Sequence, residues 1–267
     1  MQNIRNVGII ALNTFRESVR NKVLYNIVFL AIALAFFSII LGEWSVFDRS
    51  YVIKSTTLSI MSLSGLLISV FVGISLVQKE IQGRTVLTLL SKPIRRGVFL
   101  VGKYLGLLAV IAIHLALLTV VYYIILALTH SHPTLSLLWA VYLIFCEMAI
   151  VVAVALLFST FSSPVLSALF TIGIYVAGRL SNELMEQVSF VRRMGEIQGS
   201  EGVLMEKVAS VIHAVFPGLY RFDIAAYVVH NVVLPPNYIF WNSLYALGYI
   251  GVFLAIAVWW FGRRDFV

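Results

Sequence analysis

Long apolar runs alternate with short polar ones along this chain. Stretches at about 23–42, 56–77, 104–128, 136–159, 164–180 and 238–261 are almost free of charge. A bilayer core about 30 Å thick needs roughly 20 apolar residues in a helix. The pattern therefore predicts six transmembrane helices. The fifth stretch is the shortest. From Pro164 to Gly178 a helix covers roughly 22 Å, and Arg179 would complete the span by snorkelling to the headgroups. Strands of a β-barrel would alternate polar and apolar over about ten residues; these runs are continuous and about twice as long.

Three polar segments carry patterns of their own. Residues 3–22 place Ile4, Val7, Ala11, Phe15 and Val19 at helical spacing, with Arg5, Asn13, Arg16 and Arg20 largely on the other side. This predicts an amphipathic helix at 1–22, ahead of a membrane domain at 23–267. It serves either as an anchor or as an element that transmits motion. Residues 78–103 are dense in charge. Val86, Leu89 and Leu90 share one helical face, Arg84, Thr88 and Ser91 another, and Pro93 disfavours helix at Lys92. A short helix between spans two and three follows. In the long segment 181–237, Leu204, Val208, Val211, Ile212 and Val215 form a helical stripe suited to a leaflet surface.

Charge orients the spans. The lead has Arg5, Arg16, Arg20 and Lys22. The 78–103 loop has Lys79, Arg84, Lys92, Arg95, Arg96 and Lys103, and the tail has Arg263 and Arg264. These are 12 of 19 Lys and Arg. The loop after span one holds only Arg49 and Lys54, and the loop at His130 to Thr134 none. By the positive-inside rule both termini and the 78–103 loop are cytoplasmic. Trp259, Trp260 and, at the other end of span six, Tyr238, Phe240 and Trp241 suit the two interfacial belts. The long apolar run begins near Val23 with no small-residue cleavage pattern after it, unlike a secretory signal.

Composition narrows the class. Only 12% of residues are charged, 61% are hydrophobic and the mean hydropathy is +0.98, against about 25% charged in soluble domains. A water-soluble enzyme, a disordered chain and a disulfide scaffold are excluded, Cys146 being the single cysteine. The net charge of +7 reads as topology rather than as a nucleic-acid surface. The fold expected is an all-α polytopic membrane protein.

Candidate chemistry is sparse. Gly97-x4-Gly102-Lys103 has most of a phosphate-loop spacing, but Tyr104 replaces the Ser or Thr that would bind magnesium, and the four intervening residues are bulky and apolar. Such a loop offers no free amides to a triphosphate. His130-x-His132 lacks a third metal ligand. No catalytic, cofactor or metal set emerges, so the chain is not expected to be an enzyme. Glu147 is the one acid deep in a span, where a charge costs about 2.5–3.5 kcal/mol. His114 lies at similar depth as a candidate partner. The pair reads either as part of a transport path or as an interhelical bond.

Taken together, four stretches resemble the membrane-spanning permease subunit of type-2 ABC transporters. They are IALNTFRESVRNKVLY (10–25), KEIQGRTVLTLLSKPIRRGVFLVGKYLG (79–106), FSSPVLSALF (161–170), and FPGLYRFDI (216–224) followed by a last span ending FGRRDF (261–266). The likeness covers essentially the whole chain. It extends to the subgroup that includes the permease of the nitrous-oxide-reductase copper-maturation system. It implies a multi-pass inner-membrane exporter subunit that pairs with a second permease as a homodimer. Each permease would dock a cytoplasmic ATPase subunit, which binds ATP and magnesium; none is expected on this chain. The helix after span two would be the coupling helix. Glu80, Gln82, Gly83, Arg84 and Thr85 would lie at its start, with Val86, Leu89 and Leu90 in apolar contact. The segment 181–237 would cap the pathway, with a periplasmic or extracellular accessory protein as a further partner. Two rivals stay open: a secondary transporter or channel, and an ABC membrane subunit that only transmits force to an outer partner.

Overall fold

The computed structural model describes residues 2–45, 48–82, 96–130, 136–194, 205, 207, 208, 210, 211, 213, 216–229, 232 and 234–263. The helices whose bounds lie among them are α1 (Gln2–Val19), α2 (Lys22–Trp44), α3 (Arg49–Leu67), α4 (Gly73–Gln82), α5 (Arg96–Leu128), α6 (Ser136–Phe161), α7 (Pro164–Met194), α8 (Ala225–Val229) and α9 (Tyr238–Arg263). A π-helical turn, Ile68–Val72, joins α3 to α4, and a 3-10 turn, Leu219–Phe222, precedes α8. No strand occurs among the described residues. In lipid every backbone amide must be satisfied within its own segment, which leaves helices as the solution for long apolar runs.

Six helices are long and apolar enough to cross a membrane: Lys22–Trp44, Arg49–Leu76, Arg96–Leu128, Ser136–Phe161, Pro164–Phe190 and Tyr238–Arg263. All six expected spans are therefore present; the starts of the second and third and the end of the fifth move outward by several residues, and the other boundaries by at most two. The fifth gains most. It runs well past Arg179, so that residue does not end the span. Lys54, assigned to a loop from its charge, lies inside α3 and is buried. Polar caps mark the starts of the first two spans: the side chain of Asn21 accepts from the Val23 amide, and that of Asp48 from the Ser50 amide.

Spans two and four form the centre. In each, 72% of the most apolar stretch is buried within the chain, against 17% in span six. Gly65 lets them approach closely: a β-carbon there would meet Met148 at 2.9 Å. Because successive spans are antiparallel, α1, the end of α4, the start of α5 and the end of α9 share one end of the bundle, here called the terminal end. The links after α2 and α5 lie at the far end.

The N-terminal helix is docked into this frame. Thr14 and Ser18 are fully buried, and α1 lies along the first turns of α5. The apolar stripe read from the sequence is half-buried at Val7, Ala11, Phe15 and Val19, while Ile4 is exposed. The packed seam is instead built on small residues. A β-carbon on Gly102 would meet Ile10 at 2.7 Å, and one on Gly106 would meet Thr14 at 2.6 Å. Lys103, 1% exposed, adds an ion pair to Glu17 at 3.5 Å. Gly106→Ile should therefore lift α1 at a cost of about 1–3 kcal/mol. Trypsin cleavage after Arg16 and Arg20 should rise roughly tenfold or more; unchanged protection would show that α1 is held elsewhere.

Candidate functional site

The sequence-predicted coupling residues divide as follows. Glu80 and Gln82 lie on α4, with their side chains outside the described residues, as are Gly83, Arg84, Thr85, Val86, Leu89 and Leu90 entirely. The flanks of that segment are tied to other helices. On the incoming side, the Gln78 amide donates to the carbonyls of Ser159 (3.2 Å) and Ser162 (2.6 Å). On the outgoing side, Arg96 Nη1 donates to the carbonyls of Phe261 (3.1 Å) and Gly262 (2.9 Å). Gly97, Gly102 and Lys103 lie within the helix α5, where Gly102 receives Ile10 and Lys103 faces Glu17; the phosphate-loop spacing is not a loop. His130 has a left-handed backbone (φ 53°) at the end of α5, and His132 lies outside the described residues. Among the described residues no three metal-ligating side chains converge.

The chemistry of the bundle gathers at Glu147. Its side chain is 0% exposed on α6. Glu147 and Arg179 are equidistant in sequence from Ser163, in the tight turn joining α6 to α7. Two antiparallel helices leaving one turn therefore bring them to the same depth, about 21–22 Å in. Arg179 turns inward and places Nε 3.1 Å from Glu147 Oε1. The contact is an ion pair without hydrogen-bond alignment. Arg179 Nη2 reaches Asp223 Oδ2 at 3.1 Å. The inward turn replaces the snorkelling geometry, because a buried carboxylate offers the guanidinium a nearer counter-charge than the headgroups do.

Span two completes the network. Ser62 donates to Glu147 Oε2 at 3.2 Å and shares a 3.0 Å hydrogen bond with the Tyr175 hydroxyl. The Tyr175 ring lies 5.7 Å from the Arg179 guanidinium. His114 belongs to a separate contact: its Nε2 is 2.8 Å from Ser64 Oγ. The structure thus does not pair His114 with Glu147. Two serines of α3 reach different neighbours, Ser62 toward α6 and α7 and Ser64 toward α5. The π turn at Ile68–Val72 follows a few residues on, a distortion often found at functional positions.

Asp223 brings the far-end segment into this site. Leu219, Phe222, Ile224 and Val228 are buried in the bundle, so residues 216–229 dip into it. A β-carbon on Gly178 would lie 2.4 Å from the Pro217 carbonyl, so only glycine admits this approach. The Gly218 amide donates to the Tyr245 hydroxyl (2.8 Å), and the Tyr238 hydroxyl donates to the Arg221 carbonyl (2.7 Å). Asp223 Oδ1 accepts from the Ala225 amide at the start of α8. The Tyr220 hydroxyl accepts from Arg221 Nε at 3.3 Å and raises the guanidinium's pKa above its ordinary value. The cavity between Arg179, Asp223, Phe222, Leu58 and Ile144 holds about 10 Å³, room for about one water. The ion-paired cluster of Glu147, Arg179 and Asp223 thus fills this part of the bundle, and is called the plug below. The stripe further out, at Met205, Val208 and Val211, is helical and exposed; Leu204, Ile212 and Val215 lie outside the described residues.

Ser62 and Tyr175 carry no motif that sequence reading detects, and Asp223 lies in the FPGLYRFDI stretch (216–224) without any sign there of its contact with Arg179. Arg179 had one available signal, its symmetry with Glu147 about the Ser163 turn. The sequence profile of the ABC-2 family transporter proteins matches residues 9–266. The chain belongs to the ABC-2 family of transporter proteins. It is thus a multi-pass membrane protein and the membrane component of an ABC transporter. The chain matches no curated protein sequence. In this ABC-2 chain the matched region includes both the flanks of the 83–95 segment and the Glu147–Arg179–Asp223 plug.

Proposed function

We propose that this chain is the permease subunit of an ABC exporter, energised by a separate ATPase subunit that binds ATP and magnesium. Two copies form the pathway as a homodimer, in the inner membrane, with both termini cytoplasmic. The orientation follows from the basic residues gathered at the terminal end, among them Arg16, Arg20, Lys22, Arg96 and Arg263. The observation that carries the reading is the family match together with the way the charged 79–96 region is mounted. Its two flanking helices are tied to other spans by side chains that bond main-chain carbonyls. A connecting loop needs no such mounting, whereas a surface that receives force does. ATP binding on the partner would shift the permease between two arrangements through this region. The plug at Glu147, Arg179 and Asp223 would part on the far side, and an accessory protein would meet the exposed Met205, Val208 and Val211.

The test is purification through a tag on this chain. An ATPase subunit should copurify. Glu80→Ala or Arg84→Glu should lower the assembly's ATPase activity roughly tenfold, as when an interfacial contact worth about 1.4 kcal/mol is lost. Robust transport in liposomes without any ATPase would overturn the proposal in favour of a gradient-driven carrier.

A further inference from the structure

The ends of α6 and α9 enclose an open cleft of about 380 Å³, lined by Phe161, Trp259, Trp260 and Arg263. That volume lies within the roughly 300–1,000 Å³ range of ligand pockets. The rings that wall it are packed on one another. Trp260 lies 5.3 Å from Phe161 and 5.9 Å from Trp259 between centroids. Phe158 meets Phe161 at 5.6 Å and Phe170 of α7 at 5.1 Å. Phe161, Phe170 and Trp260 each keep more than a third of their surface exposed, so the wall presents ring faces outward. Phe170 is six residues into α7 and so lies about 9 Å deeper than the start of that helix.

Arg263 gives the cleft its charge. Its guanidinium lies 4.0 Å from the Trp259 ring centroid. Stacking uses the flat face of the group and leaves its in-plane N–H donors to fork around a second group. Among the described residues no carboxylate lies within ion-pair distance of Arg263. A second guanidinium, Arg96, bonds the carbonyls of Phe261 and Gly262 on the same last turn. The negative end of a helix amounts to about half an elementary charge, so the end of α9 keeps an excess of positive charge. Arg264 and Asp265 follow with opposite formal charges. An aromatic belt alone is indifferent to headgroup charge, whereas a forked cation seated on it is not.

We propose that this cleft binds one anionic phospholipid, with its phosphate on Arg263 and an acyl chain along Phe161 and Phe170. The occupant carries one phosphate and no amine. One guanidinium in the cleft matches one phosphate, and an ammonium headgroup would add a third cation to the end of α9. The lipid bridges spans four and six at the terminal end.

The test uses the protein purified by a tag on this chain, with whatever copurifies, in nanodiscs of phosphatidylcholine. A trace of photoreactive lipid is added, either phosphatidylglycerol or phosphatidylcholine, with the diazirine on the same acyl carbon. After illumination, mass spectrometry locates the labelled peptides of this chain. Those around Phe161 and Trp259 should take at least about fivefold more label from phosphatidylglycerol, the preference expected of one guanidinium at an anionic surface. Those around Ile113 and Val120, exposed in the middle of α5, should take both lipids equally. Arg263→Gln should bring the ratio at the cleft to parity. Trp259→Leu, which removes the platform but keeps the charge, should lower it, and keeps the test open if the first variant fails to assemble. Equal labelling by the two lipids in the parent would overturn the site. So would a preference that neither variant changes, because the basic residues of the whole terminal end would then explain it. Absence of label from both lipids at the cleft would show that protein covers it, a second copy or another subunit, and would also overturn the proposal.

Discussion

Replacing Arg179 by methionine should destabilise the chain by about 3 kcal/mol. That is the low end of what is seen when one partner of a buried ion pair is removed, because Arg179 itself keeps 25% exposure while Glu147 has none. The physical cause is the stranded carboxylate. Glu147 would retain only the Ser62 hydroxyl, at 3.2 Å, in a fully buried place. Glu147→Gln is expected to be milder, about 1–2 kcal/mol, since Arg179 keeps Asp223 at 3.1 Å. The double variant Glu147→Leu with Arg179→Met should recover much of the loss, as well-packed apolar replacements of buried pairs do. Thermal unfolding in detergent measures the series. If Arg179→Met unfolds with the parent, the pair is not what holds this part of the bundle. Glu147→Gln also separates two roles: unchanged ATP-driven turnover at unchanged expression would leave Glu147 a structural bond and remove it from the pathway.

The second large effect is at Gly178. Even alanine there should cost about 2–3 kcal/mol, because the added carbon lies 2.4 Å from a main-chain oxygen of Pro217, which cannot turn aside as a side chain would. The segment 216–224 must lift, and with it Leu219, Phe222 and the Asp223 contact to Arg179. A cysteine at Ile224, 1% exposed in the parent, should react with a thiol reagent at least about tenfold faster in the Gly178→Ala background, as expected when local opening becomes cheaper by 1.4 kcal/mol or more. Gly173 is the control on the same helix. Nothing lies within 4 Å of a β-carbon there, so Gly173→Ala should be neutral or gain up to about 1 kcal/mol from helix propensity. Equal behaviour of the two glycines would show that the far-end segment is not wedged against α7.

How much of this was readable beforehand depends on the range of the interaction involved. The spans at 23–42 and 136–159 are recovered within a few residues, since length and apolarity are properties of one segment. Span five was underestimated, because a charge at Arg179 ends an apolar run in sequence but is neutralised across the bundle by Glu147 and Asp223. The amphipathic lead is legible as a helix, but its docking face is not. Apolar periodicity points to Ile4 and Phe15, whereas the seam is set by Gly102 and Gly106 on a helix far along the chain. The depth of Glu147 is legible; its choice of Arg179 over His114 is not, because helix rotation decides which of two groups at one level faces it.

The sequence by itself determined a six-span helical membrane protein with an amphipathic lead and a charged segment between spans two and three. Continuous apolar runs in lipid leave the backbone no alternative to helices, and that constraint acts within each run. Only the tertiary structure decided that the far-end segment dips in to meet Arg179, that α1 docks on α5, and that Gln78 and Arg96 grip the ends of two different spans. Each of these joins groups from separate helices, and their meeting depends on packing and rotation, which no local pattern encodes.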